Sequence, residues 1–228
     1  MNSGFFRVFK HGFFIIFTVG IIVSTCFTVY ICTLPSIKII HKIKQPCVCI
    51  DPGHGGKDTG ATLEKRLEKE DTLRLSLLIK AKLEEKGIRV SLTRTNDTYI
   101  TLEERCKLAN KQNADLFVSI HRNSADHGKG VEVWIKNTPE KEDSFLAESI
   151  LSHLKASNHV SNIRGIKSGY RKNADGNYYV NAHTKMPSCL VEVGFITNVE
   201  DNRLFDSYLE EYAQSIADAI EATLQSMQ

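Results

Sequence analysis

The sequence predicts an α/β fold: a largely parallel central sheet of about five to six strands with helices on both faces, preceded by an N-terminal transmembrane helix. Three observations carry that expectation. Short apolar runs alternate with amphipathic stretches from Cys47 to the end of the 228-residue chain. Most of these runs, CVCI among them, are continuously apolar, as strands buried on both faces are. Finally, FFIIFTVGIIVSTCFTVYICTL, residues 13–34, carries no charge, and about 20 such residues cross a bilayer as a helix.

In chain order, residues 1–12 read as a short stub with Arg7 and Lys10, 13–34 as a transmembrane signal anchor, 35–46 as a linker and 47–228 as one folded domain. An uncleaved anchor is preferred to a signal peptide because the apolar core is long and no small-x-small cleavage site follows. Thr25 before Cys26 also makes a poor lipoprotein signal. Lys38, Lys42 and Lys44 balance the basic stub, so charge bias leaves the orientation open. Expected strands are 47–51, 89–93, 116–121, 131–136 and 189–193; expected helices are 68–86, 102–112, 140–157 and 206–226. VEVWIK alternates and reads as an edge strand, and Asp175-Gly176 reads as a hairpin turn before Tyr178 and Tyr179.

Of the 29 basic side chains, Arg7 and Lys10 precede the anchor, which leaves the remainder formally neutral against 27 acidic residues. That balance argues against nucleic acid as a partner. Cys47, Cys49, Cys106 and Cys189 lie in apolar runs without a disulfide-like spacing and read as buried thiols.

Ligands of such folds bind beyond the carboxyl ends of the strands. His54 follows the first strand, His121 closes the third and Glu192 ends the last. Glycines around His54, in IDPGHGGKDTG, let the chain turn off a strand and keep space clear. A phosphate loop does not fit, because Asp58 rather than Ser or Thr follows Lys57. Two histidines and a carboxylate are a common ligand set for catalytic zinc. Glu64, Glu68, Glu70 and Asp71 are the nearby acids. Glu68 shares a stripe with Leu75 and Ile79, flanked by Leu78 and Leu83, whereas Glu70 is turned about 200° away, so helical phase selects Glu68.

The chain resembles the zinc-dependent N-acetylmuramoyl-L-alanine amidases of the amidase_3 type. The resemblance rests on IDPGHGGKDTGA, LEKED, LTR at Leu92 to Arg94, ANKQNADLFVSIHRNS and MPSCLVEVGFITN, in that order over nearly all of residues 47–226. It implies one Zn2+ per chain on His54, Glu68 and His121, with Glu192 as the catalytic glutamate. The implied reaction cleaves the amide between N-acetylmuramic acid and the first L-alanine of the peptidoglycan stem peptide. Asn123 and Arg122 are candidate substrate-binding residues; Arg122 stands where the family often has Ala, and its cation suits either a substrate carboxylate or a wet rim. Val180-Asn181-Ala182 replaces the family's V-L-R, which removes a substrate-facing arginine, and Glu70 replaces the Asp of E-K-D.

Short anchored members of this kind resemble amidases that process spore-cortex peptidoglycan toward muramic-δ-lactam. The expected location is the cell membrane, single-pass, with the catalytic domain on the extracytoplasmic face. No wall-targeting module is visible, so the anchor or a protein partner would bring enzyme to substrate. The rival readings are a vegetative cell-separation amidase, a zinc peptidase cutting within the stem, and a catalytically dead, membrane-tethered wall-binding protein. The peptidase reading lacks an HExxH sequence, and the binding protein would tolerate loss of Glu192.

Overall fold

The computed structural model describes residues 45–172 and 176–228. The stub, the 13–34 stretch, the linker up to residue 44 and Asp175 of the expected turn lie outside the described residues. Among the described residues, no helix is long and apolar enough to cross a membrane.

Strand β1 (Cys47–Pro52) leads into a small antiparallel hairpin, β2 (Thr62–Leu63) and β3 (Arg66–Leu67), which delivers the chain to α1 (Glu68–Glu85). Then follow β4 (Arg89–Leu92), α2 (Leu102–Lys111), β5 (Leu116–Asn123), β6 (Val131–Ile135), α3 (Lys141–Ala156) and β7 (Ile163–Ser168). The short α4 (Tyr179–His183), β8 (Ser188–Phe195), α5 (Val199–Ser207) and α6 (Leu209–Ser226) complete the order. The six-stranded sheet runs β4-β1-β5-β8-β6-β7. Its first four strands are parallel; β6 lies antiparallel to β8, with β7 parallel to β6.

Both faces are covered, as the continuous apolar runs predict. Val48, Ile50, Val118 and Val191 face a core closed by α1, α3 and α6. Cys47, Cys49, Phe117 and Leu190 point the other way, toward Cys106 of α2 and Val180 of α4. The cysteines of the described residues are buried as thiols, and burial pushes Cys49 up to about 12.

Three expectations are corrected. VEVWIK is not an edge: β6 is wholly buried between β8 and β7. Its alternating polar positions are interior because Glu132 is held by hydrogen bonds from Asn123, Trp134 and Arg164. The edge on that side of the sheet is β7, whose IRGIKS is half exposed and lacks a strand-like apolar run. Tyr179 opens a helix rather than a second hairpin arm, and the last helical region begins at Val199, where the Asn198 side chain accepts from the Asp201 N–H at 3.0 Å.

Two buried arginines hold the turn after β1. A reciprocal capping box between Thr101 and Glu104 fixes the start of α2, placing Arg105 beneath the turn. Arg105 donates to Asp51 Oδ1 (2.7 Å), Pro52 O (2.8 Å) and His54 O (2.7 Å). Arg94 donates to Pro52 O (3.0 Å) and Gly53 O (2.8 Å). His54 is thereby kept at φ 61°, a left-handed conformation that non-glycine residues rarely adopt. Burial alone would raise the Asp51 carboxyl, but the Arg105 charge and the Thr93 and Ser119 hydroxyls hold it below the usual carboxylate range.

Arg105→Ala is expected to lower the unfolding free energy of the full chain by about 3–5 kcal/mol in urea titrations, because it strands a buried charge. The sign with pH follows from the lowered pKa: the folded state binds fewer protons at Asp51 than the unfolded state. The Asp51 contribution is therefore present above the ordinary carboxylate range and lost as pH falls through the folded value. The gap between wild type and variant should close in acid; a gap that persists there would mean that the pair is not its origin.

Candidate active site

The parallel strands β1, β5 and β8 end on one side of the sheet, and the sequence-predicted residues gather there. His54 leaves β1, His121 lies on β5, and Glu192 of β8 pairs in register with His121. Glu68 opens α1 and reaches in from the side, its backbone N–H donating to Ala61 O at 3.0 Å. His54 Nε2 and His121 Nδ1 lie 3.1 and 3.0 Å from Glu68 Oε1. Glu70 is exposed, so the helical phase chosen from the sequence is the one observed.

These three side chains fit zinc. One ligand atom from each lies within 4.8 Å of the others, and bonds of about 2.0–2.1 Å in a tetrahedral site separate neighbouring ligand atoms by about 3.3 Å. The supporting contacts match those of metal ligands. His54 Nδ1 lies 2.9 Å from Asp58 Oδ2, while Glu68 Oε2 accepts from Ala61 N (2.8 Å) and Oε1 from Arg122 N (2.9 Å). The space is cut to shape: a Cβ on Gly60 would lie 2.6 Å from both Glu68 Oε2 and His54 Cδ2, and one on Gly53 would lie 2.4 Å from His121 Cε1.

Charge is unevenly distributed. Burial disfavours the His54 cation, yet Glu68 and Asp58 outweigh it and raise His54 to about 9. Burial works against the Glu68 anion too, but the two histidines hold it well below its usual value. Glu192 goes the other way, pushed well up by burial first and then by Glu68 and Glu132. Its Oε2 is buried with no hydrogen-bond partner among the described residues. Such an atom at the mouth of a site is a mark of function.

Arg122 is a correction. Successive side chains of a strand point to opposite faces, so Arg122 leaves β5 on the face of Val118 and Ile120, away from His121. The Arg122 side chain, only 1% exposed, turns away from the site to pair with Asp71 Oδ2 (2.6 Å), donate to Asn202 Oδ1 (2.7 Å) and stack 4.3 Å over Phe205. It is neither a rim cation nor available to substrate; its backbone N–H is what reaches Glu68. Asn123 does line the site, but its amide is engaged by Glu132, Ser124 and Arg171. Of the V-L-R replacement, Val180 lines the site, Asn181 donates to Trp134 O (3.0 Å) and Ala182 is exposed.

Sequence reasoning missed Asp58, Glu132 and Arg171. Asp58, four residues past His54, was legible as an acid beside a ligand histidine. Glu132 was hidden by the reading of β6 as an edge, and Arg171 follows β7 in a polar stretch with no periodic signal.

A family model described as N-acetylmuramoyl-L-alanine amidase, Amidase_3, matches residues 48–222. The chain is 38% identical over 192 residues to the N-acetylmuramoyl-L-alanine amidase LytC of Bacillus subtilis, covering 80% of this chain and 37% of LytC. It is 34% identical over 178 residues to the sporulation-specific N-acetylmuramoyl-L-alanine amidase of the same organism, covering 76% of this chain and 66% of that one. The solved structure of the CwlD amidase from Clostridioides difficile, in complex with the GerS lipoprotein, matches with a TM-score of 0.72 at 26% identity over 80% of this chain and 100% of that chain. The chain thus spans less than two thirds of the length of both curated relatives. With the family model matching most of the chain over the site just described, this protein belongs to the Amidase_3 family of N-acetylmuramoyl-L-alanine amidases.

Proposed function

We propose that the protein is a zinc-dependent N-acetylmuramoyl-L-alanine amidase, anchored in the cell membrane by residues 13–34, that acts outside the cytoplasm on spore-cortex peptidoglycan. The observation that carries the reading is the cluster of His54, Glu68 and His121 beside the unpartnered carboxyl of Glu192. Held by those three side chains, zinc would supply Lewis-acid chemistry, polarising the scissile carbonyl and acidifying water.

The remaining work falls to the chain's own groups. Glu192 takes a proton from the attacking water and returns it to the nitrogen of the departing L-alanine, so the amide leaves as a free amine. Asp58 holds the His54 ring by Nδ1, presenting Nε2 to the site. No side chain need become a covalent nucleophile. The spore-cortex setting is supported by similarity to a sporulation-specific amidase, and a lipoprotein partner by the GerS complex of CwlD.

The test uses the full chain in detergent with zinc, given vegetative and spore-cortex peptidoglycan, and mass spectrometry of the released peptides. Stem peptides with a free L-alanine amino terminus are expected, more from cortex precursors. Equal release from both substrates removes the spore assignment. No release from either, with zinc bound and a GerS-like lipoprotein supplied, removes the amidase reading.

A further inference from the structure

A cation that the sequence left unassigned stands in the groove beside the candidate metal ligands. Arg171, in the stretch after β7, lines that groove together with His54, Glu68, His121 and Glu192. Its Nη1 donates to Asn123 Oδ1 at 2.7 Å and, more weakly, to Ser124 O at 3.4 Å. Asn123 is itself 3% exposed and fixed from behind: its Nδ2 donates to Glu132 Oε1 at 2.8 Å, and its Oδ1 also accepts from Ser124 N at 2.8 Å. A carboxylate only accepts, so the amide nitrogen must face Glu132 and the oxygen must face Arg171.

The Glu132 charge is already met by Arg164, whose Nε lies 2.7 Å from Oε2. Arg171 is thus oriented by a neutral amide, and among the described residues no carboxylate forms an ion pair with it. A guanidinium held by one edge keeps its other donors for a planar anion.

A second arm of the site shares His54, His121, Tyr178 and Glu192 with the groove of Arg171. Tyr99, Ile100, Tyr179 and Val180 line this arm, together with Asp58, Asp51 and Arg105, whose charges are already paired with His54 and with each other. That arm suits the uncharged N-acetylated sugar and lactyl group, whereas the fixed negative charges of the substrate lie on its peptide. We propose that Arg171 is a specificity-determining residue that binds a free carboxylate on the stem-peptide side of the scissile amide, namely the α-carboxylate of an acidic second residue linked through its side chain. This rests on the amidase reading.

The test compares two synthetic muramyl peptides that differ only in that α-carboxyl group, free in one and a carboxamide in the other. Turnover is measured with full-length wild type, Arg171→Ala and Arg171→Lys. Binding of the same peptides is measured by calorimetry on zinc-loaded Glu192→Gln, with and without Arg171→Ala. Wild type should prefer the acid by about 10-fold in kcat/KM, carried by KM, as one charge-assisted hydrogen-bonded contact allows. In Arg171→Ala the preference should fall to about one, with Arg171→Lys in between.

An unchanged preference in Arg171→Ala overturns the proposal, as does an equal fall in kcat on both peptides, which would place the action of Arg171 on Glu192 rather than on substrate. If wild type cleaves neither peptide while calorimetry retains an Arg171-dependent preference for the acid, the amidase reading fails and the carboxylate site stands.

Discussion

Glu192→Gln is expected to cut kcat on muramyl peptides by about 10²- to 10⁴-fold, the range that a positioned acid–base group supplies, while zinc content remains that of wild type. The substitution keeps size and shape but cannot accept a proton. Glu192 lies outside the three-residue cluster that fits the metal, so ligand count is untouched. Among the described residues neither Lys nor Arg forms an ion pair with this carboxyl, and its Oε2 accepts nothing. Burial first, then Glu68 on α1 and Glu132 on the neighbouring strand, raises its proton affinity. Zinc stoichiometry and steady-state kinetics on the same preparation check the outcome. Retained kcat would remove Glu192 from the reaction, and lost zinc would make it a ligand.

What was legible in the sequence was what local periodicity controls. Continuous apolar runs fixed β1, β5 and β8, and because parallel strands end together, His54, His121 and Glu192 converge. Helical phase separated Glu68 from Glu70 because α1 must bury Leu75 and Ile79 against the sheet. The errors have two sources: strand alternation left unused at Arg122, and tertiary context elsewhere. Arg122 follows a ligand histidine, but strand alternation puts it on the opposite face of β5, toward Asp71 and Phe205. β7 has too few apolar residues to declare itself, and it is held by pairing with β6 alone. Arg171 lies far from Asn123 in sequence and meets it only because β6, β7 and β8 are assembled.

The two kinds of error are linked. Reading β6 as an edge hid the buried Glu132, and Glu132 is what orients Asn123. With Asn123 unoriented, nothing pointed to the arginine that its oxygen holds. The sequence therefore offers Arg122, next to His121, as the cation of the site, whereas the fold brings Arg171 to the groove from beyond β7.

Glu68→Ala is expected to lower zinc affinity by at least about 100-fold, more than the loss of a supporting contact to a ligand costs, whereas Glu70→Ala should bind zinc as wild type does. Glu68 Oε1 alone approaches both histidines, and its two oxygens accept the Ala61 and Arg122 N–H groups. Removing the carboxylate thus takes away one ligand and the anion that orders the other two. Proton release gives a second readout. In metal-free protein His54 is raised to about 9, so at neutral pH it carries a proton that must leave before Nε2 can bind a metal. Zinc uptake by wild type should therefore release protons and weaken as pH falls. In Glu68→Ala the His54 titration should move down toward that of an ordinary histidine, because its largest stabilising anion is gone. Calorimetry in buffers of different ionisation enthalpy and histidine NMR measure both effects. If Glu68→Ala keeps full zinc affinity while Glu70→Ala loses it, α1 presents its other face to the site and the ligand assignment fails.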